Sequence, residues 1–223
     1  MSSNETVILF TQSQQPKYQD IFAEFASQYT CTLLWKPFVS LVPISSSISS
    51  ISTEHVLISS SKTLDYLNYS LLNGKKIHVI GEGTAQILRE HNISVTSVQS
   101  SIHNVSLPTP STFLGALEPT VETQKRIKQG ALIHVPIYQR IEHLDHILPK
   151  QIEWVVFLSP SAVRIWFEHY ENCLQNSESI ETRYVVIGET TKTMVQQYDK
   201  EISMMPAKPN FRDLLVDLKQ LVS

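Results

Sequence analysis

Short apolar runs along this chain alternate with segments whose apolar positions recur three and four apart. "VILF" (7–10) is followed by "YQDIFAEFASQ" (18–28), and "HVLI" (55–58) by a stripe of Leu64, Leu67 and Leu71. "WVVFL" (154–158) is followed by Val163, Trp166, Phe167, Tyr170 and Leu174. Runs of four or five without alternation fit strands covered on both faces, and the three-four spacing fits amphipathic helices. Strands alternating with helices predict mostly parallel sheets flanked by helices.

The pattern repeats. "HVLISSSKTLDYLNY" (55–69) aligns with "WVVFLSPSAVRIWFE" (154–168): an apolar strand, a serine cluster, a helical stripe. Downstream, "KIHVIGEGTAQILREH" (76–91) aligns with "RYVVIGETTKTMVQQY" (183–198), each reading strand, Ile-Gly-Glu, threonine, helix. Upstream, "TCTLLWKPFVSL" (30–41) aligns with "GALIHVPIYQRI" (130–141), which sets Phe38 opposite Tyr138. An offset of about a hundred residues, growing in the last downstream pair, predicts two related α/β halves. The repeat also predicts a short amphipathic helix in "ISSSISSIST" (44–53), with Ile44, Ile48 and Ile51 on one face. Its counterpart is "HLDHILPKQI" (143–152), with Leu144, Ile147 and Leu148. "SVQSSIHNVSLPTPST" (97–112) reads as an irregular loop.

Composition narrows the function classes. The 223 residues are 42% apolar and can bury a sizeable core, while only 17% are charged and the net charge is −3. No basic run suits a nucleic-acid or anionic membrane partner. The segment "MSSNETVILFTQSQQ" reads as neither a secretory leader nor a membrane span. Cys31 and Cys173, far apart and outside any CxxC, read as reduced thiols of a cytoplasmic protein.

Candidate chemistry concentrates where strands meet helices. In parallel sheets ligands bind outside the carboxyl ends of the strands, and four hydroxyl-rich clusters sit there: Ser59–Ser61, Gly81–Thr84, Ser159–Ser161 and Gly188–Thr191. A helix N-terminus has unpaired N–H groups and a partial positive charge, so such junctions hold anions through neutral donors. Pro160 suits the first helical position, with Ser159 as N-cap and Ser161 beside the ligand. Plain capping explains any one junction; four at matched positions point to a ligand with several negative groups. A nucleotide is disfavoured, because GxxxxGK[ST] is absent, "GEGTAQ" lacks the third glycine of the dinucleotide fingerprint, and the chain has only six glycines. His143, Asp145, His146 and nearby His134 read as solvated side chains rather than metal ligands, and no GxSxG makes Ser159 a hydrolase nucleophile.

The set "VVFLSPSAV", "VVIGETT", "VPIYQR" and "AKPNFRDLLVDL" resembles the uroporphyrinogen-III synthase family, and the likeness runs over nearly the whole chain. It implies two similar α/β domains with mostly parallel sheets, joined by a two-stranded linker with a cleft between them. The boundaries are 1–36 plus 142–223 for one domain, 43–132 for the other, and 35–42 and 133–141 for the linker strands. The implied reaction is closure of hydroxymethylbilane, a linear tetrapyrrole with eight carboxylates, to uroporphyrinogen III. Loss of the terminal hydroxyl gives an azafulvene, attack by the substituted end of ring D gives a spiro intermediate, and fragmentation and reclosure invert that ring. No cofactor or metal is needed. Unaided, the bilane closes to the uninverted isomer, so the protein's main task is to fix a folded conformation of the bilane.

By the same resemblance Tyr138 assists departure of the hydroxyl. Ser60, Lys62, Gly81, Thr84, Ser159, Ser161, Gly188, Thr190 and Thr191 bind substrate. The implied protein is a monomer, with room for a transient contact with hydroxymethylbilane synthase upstream. The chain departs from the family at Thr11-Gln12, where Thr-Arg is common, and in "LGALEP" (114–119), where an Arg-Gly pair is common. Ser61 and Glu189 each replace a frequent proline. These changes remove cleft cations, which keeps open an alternative: a non-catalytic two-domain binder of an acidic small molecule.

Overall fold

The structure, a computed structural model, describes residues 6–13, 18–29, 31–44, 48–171 and 181–222. Two compact units emerge, one of residues 1–40 and 142–223 and one of residues 41–141. Cys173 lies outside the described residues, and Cys31 is buried. Among the described residues no helix is long and apolar enough to cross a membrane.

The first unit is built on β1 (Thr6–Phe10), β2 (Cys31–Trp35), β9 (Trp154–Phe157) and β10 (Arg183–Val186), in the order β10-β9-β1-β2 and all parallel. Both faces are covered, which is why these strands are apolar without alternation. On one face α1 (Gln19–Gln28) and α6 (Phe211–Leu221) pack Phe22, Phe25, Phe211 and Leu214 against Ile8, Phe10 and Val156. On the other, α4 (Pro160–Ile165) and its π-helical continuation Trp166–Tyr170 set Val163, Trp166 and Phe167 against Leu9, Val155 and Phe157. α5 (Glu189–Gln196) adds Val195 to the same cluster.

The second unit carries β4 (His55–Ile58), β5 (Lys76–Ile80), β6 (Val95–Gln99), β7 (Ser111–Ala116) and β8 (Leu132–Glu142). With β3 (Val39–Pro43) at the edge, the sheet order is β3-β8-β7-β4-β5-β6. The pairs β8-β7, β7-β4, β4-β5 and β5-β6 are parallel. α2 (Glu82–Glu90) and α3 (Val121–Lys128) complete it. α2 opens on Gly81, whose φ of +85° suits a residue without Cβ.

Three expected elements take other forms. The stripe Leu64, Leu67, Leu71 falls on a segment with two 3-10 turns, Ser61–Thr63 and Tyr69–Leu72, rather than on one helix, and only Leu71 lies within a turn. Asn68 Oδ1 accepts from Ser70 N, a local bond that competes with helix propagation. Leu64 and Leu67 are buried nonetheless. No helix forms over the described part of 44–53, residues 44 and 48–53; there Lys75 Nζ donates to the carbonyl oxygens of Ile51 and Thr53, bonds a helix would have made internally. The 143–152 segment is also irregular. Tyr170 Oη accepts from His146 N and donates to His143 O; of the predicted apolar face only Leu148 packs on the core, while Leu144 is 47% and Ile147 90% exposed. Within 97–112 the first three residues belong to β6 and the last two to β7, and the rest is irregular apart from the turn Ile102–Asn104.

Candidate active site

In the first unit β9 and β10 end level, with Phe157 paired to Val186, so their two junctions are neighbours on one edge. Ile187 N donates to Phe157 O at 3.1 Å. Ser159 is extended, Pro160 occupies the first helical turn, and Ser159 Oγ accepts from Ala162 N at 3.3 Å. α4 and α5 pack together, which brings Ser159 and Ser161 beside Gly188, Thr190 and Thr191. Thr191 is 2% exposed, whereas Thr190 is open to solvent and Ser161 half-buried. The first turn of α5 carries Glu189, whose charge is balanced by Lys192 at 3.7 Å.

In the second unit Ile58 pairs with Val79, which sets the ends of β4 and β5 side by side. The turn Ser61–Thr63 packs on α2. Ser60, Lys62, Gly81 and Thr84 therefore gather at one edge. Ser60 Oγ accepts from Lys62 N, and Lys62 Nζ is paired with Asp65 at 3.2 Å. Glu82, in the first turn of α2, is bonded to Arg89. Tyr138 stands at the carboxyl end of the same sheet, paired with Ala116. It is 5% exposed, its ring 5.9 Å from that of Tyr66, and its carbonyl accepts from Leu117 N. Its hydroxyl makes no hydrogen bond among the described residues.

Two polar atoms at these edges escaped the sequence reading. Thr63 Oγ1, in a fully buried residue, and the buried Nε2 of Gln12, just past β1, both lack a partner among the described residues. An unpaired buried donor costs about 1–3 kcal/mol, so such atoms mark a site more sharply than an exposed serine does. Proximity to a serine cluster was the available signal for Thr63. Gln12 showed only as a departure from the family pattern. At the neighbouring Thr11 the hydroxyl is committed to Val156 O. The Arg-Gly pair missing from β7 leaves Gly115 tight beneath the Phe113 ring, where a Cβ would stand 2.5 Å from its nearest atom.

The histidines expected to be solvated are tied to the framework. His143 Nε2 bonds Ser40 Oγ at 2.7 Å and His146 Nε2 bonds Pro37 O at 2.8 Å; both are half-buried. Among the described residues no three His, Cys, Asp or Glu side chains could hold a metal ion together. A hollow of about 760 Å³ includes Ile152, Thr182 and Arg183. It opens at the amino ends of β9 and β10, away from every expected site residue. In it Tyr184 Oη donates to Glu171, and burial, helped by that carboxylate, holds the phenol far above its ordinary range.

Residues 118–223 match the family model of uroporphyrinogen-III synthase HemD. No curated protein matches by sequence. Among solved structures, a mutant uroporphyrinogen III synthase of Thermus thermophilus is similar at TM-score 0.68 and 10% identity, covering 97% of this chain and 98% of that one. The uroporphyrinogen-III synthetase of Helicobacter pylori 26695 is similar at TM-score 0.64 and 14% identity, over 97% and 99% of the two chains. The wild-type Thermus enzyme in a second crystal form gives TM-score 0.53 at 13% identity, over 96% and 97%. At these identities the likeness is one of fold. The family match covers residues 118–223, and the likeness in fold to the two synthases runs over nearly the whole chain.

Proposed function

We propose that this chain closes hydroxymethylbilane to uroporphyrinogen III with inversion of ring D, as a cyclising lyase of tetrapyrrole biosynthesis. The observation that carries the reading is the recurrence of one device on both sheets: a hydroxyl-bearing turn and a helix N-terminus at adjacent strand ends, Ser159 with Gly188 and Ser60 with Gly81. Each offers oriented N–H and O–H donors to a carboxylate. A substrate with eight carboxylates can engage several at once, and holding a flexible bilane in one folded conformation is what selects the inverted product over spontaneous closure. Ser60, Lys62, Gly81 and Thr84 serve from one unit; Ser159, Ser161, Gly188, Thr190 and Thr191 serve from the other.

Tyr138 is assigned the chemical step. Its hydroxyl is uncommitted and its ring is held by packing, as suits a donor that assists the departing hydroxyl in a largely apolar setting. The test couples the purified chain to an enzymatic source of hydroxymethylbilane and resolves the porphyrin isomers after oxidation. The type III isomer is expected in excess; only type I, at the uncatalysed rate, would refute the reading and favour a binder.

A further inference from the structure

Most cations of this chain are engaged. Among the described residues Lys and Arg side chains form ion pairs, as at Lys76, Arg89, Arg164 and Lys200, or bond carbonyls, as at Lys75 and Arg126. Lys36, Lys128, Arg140, Lys208 and Arg212 do neither. Three of these five stand at one edge of the first unit.

The stretch Lys208–Arg212 reaches both outer strands of the β10-β9-β1-β2 sheet at their carboxyl ends. At the β10 end, Pro209 lies over the Gly188 junction: a Cβ on Gly188 would be 3.3 Å from Pro209 Cβ. At the other end the Phe211 ring packs 6.1 Å from Phe10 and 6.4 Å from Trp35, the last residues of β1 and β2. Lys36 comes directly after Trp35, and its backbone N–H bonds Phe10 O. Asn210 Oδ1 accepts from Asp213 N, so α6 begins at this edge and Arg212 lies in its first turn. Lys208 and Arg212 are exposed and Lys36 is half-buried. On the same edge, at the end of β1, sits the unpartnered Nε2 of Gln12.

We infer that Lys36, Lys208 and Arg212 form a cationic rim on the carboxyl edge of the first unit's sheet and bind carboxylates of the tetrapyrrole substrate. The inference rests on the proposed function, and it names where the charge comes from. A protein of net charge −3 repels a polyanion at long range, so binding one needs local cations that are not already neutralised. Neutral donors at the junctions orient carboxylates; the rim supplies the attraction. Specificity for a highly carboxylated tetrapyrrole over a less carboxylated one follows from the number of cations on the rim.

The test replaces each cation, Lys36→Gln, Lys208→Gln and Arg212→Gln, singly and together. Lys128→Gln is the control, an equally unpaired cation at the end of α3. Two readouts are taken at low and moderate salt: KM and kcat for type III formation, and the Kd of uroporphyrin, a stable octacarboxylate tetrapyrrole, from tryptophan fluorescence. Each rim substitution is expected to raise KM and Kd about two- to fivefold, and the triple roughly tenfold or more, with kcat and Tm unchanged. The salt dependence of binding should flatten in the triple variant only. A triple variant that binds uroporphyrin as the unmodified protein does, or no worse than Lys128→Gln, overturns the rim. Failure of the unmodified protein to make the type III isomer would instead overturn the proposed function, and the uroporphyrin titration would still judge the rim.

Discussion

The junctions at Ser60 and Ser159 carry related sequences and share their first step. Both serines are extended, with φ and ψ of −151° and 138° at Ser60 and −157° and 152° at Ser159, and both accept a backbone N–H. Beyond the serines the two diverge. Ser159 opens a helix that runs through Pro160–Ile165 into the π-helical Trp166–Tyr170, while Ser60 opens a turn of three residues. Pro160 fixes φ near the helical value, where the other repeat has Ser61. Trp166, Phe167 and Tyr170 then give the helix a wide buried stripe, whereas Asn68 commits its side chain to a turn. A cap is written in one residue, but a helix is stabilised by the face it buries. The two repeats thus keep the donor geometry at the strand end while building different supports beneath it.

The largest expected effect separates chemistry from this shared geometry. Tyr138→Phe removes one hydroxyl and keeps the ring against Tyr66. Type III formation should slow by ~10²-fold, toward the milder end of what a general acid contributes, because the leaving hydroxyl departs readily. Stability should change by no more than about 0.5 kcal/mol. An unchanged rate would make Tyr138 a packed residue of β8 and return the chemical step to the junctions.

Next comes grip, tested on the junction pair of the first unit. Ser159→Ala with Thr190→Ala deletes two hydroxyls, each worth ~1.5–3 kcal/mol if bonded to a carboxylate and not replaced by water. Substrate binding should weaken without vanishing, since the backbone N–H groups remain, and product should shift toward the uninverted isomer as bilane escapes. The matching pair in the second unit, Ser60→Ala with Thr84→Ala, probes whether both edges hold substrate; Thr84, 4% exposed, also contributes to packing, so its melting temperature is read alongside. An unaltered isomer ratio in either pair would reduce that junction to helix capping.

Acid should act on the second unit. His78 is buried and bonded to His55 and to Ser97 Oγ, and burial, with His55 and Lys76 nearby, holds its pKa below the ordinary 6.5. The unfolded chain therefore takes up a proton at higher pH than the folded one. Stability is full above about pH 6.5 and falls as pH drops from there, until His78 itself protonates. Hydrogen exchange at β4 and β5 should accelerate below that pH in the native protein and much less in His78→Asn. Equal acid sensitivity in both would assign the effect to other groups.

The strands were legible because parallel sheets covered on both faces demand apolar runs that little else tolerates, as in "WVVF" and "HVLI". The Ser159 cap was legible because Ser-Pro before an apolar stripe has one good local solution. The 44–53 and 143–152 segments were not. Their carbonyl and amide partners are the side chains of Lys75 and Tyr170, distant in sequence, and spacing alone cannot see them. The same holds for Gln12 and Thr63: only the packed fold tells which polar atoms are left without a partner.

The smallest expected effect returns to the two serines and asks what each cap contributes to the fold alone. Ser159 satisfies an orphan N–H of a helix that buries Ala162, Val163 and Ile165 and continues into the Trp166 stripe, so loosening its first turn loosens a buried face. Ser159→Ala should cost ~1 kcal/mol, the usual loss on removing an N-cap. Ser60 Oγ accepts from Lys62 N across a three-residue turn, and that bond is exposed, so water replaces it readily. Ser60→Ala should cost no more than a few tenths of a kcal/mol, on the order of a surface substitution. Melting curves of the two single variants, recorded without substrate, give the comparison directly. Equal losses would mean that the short turn at Ser60 is as firmly tied to its unit as α4 is to the other, and that the repeats differ in shape but not in the work asked of their serines.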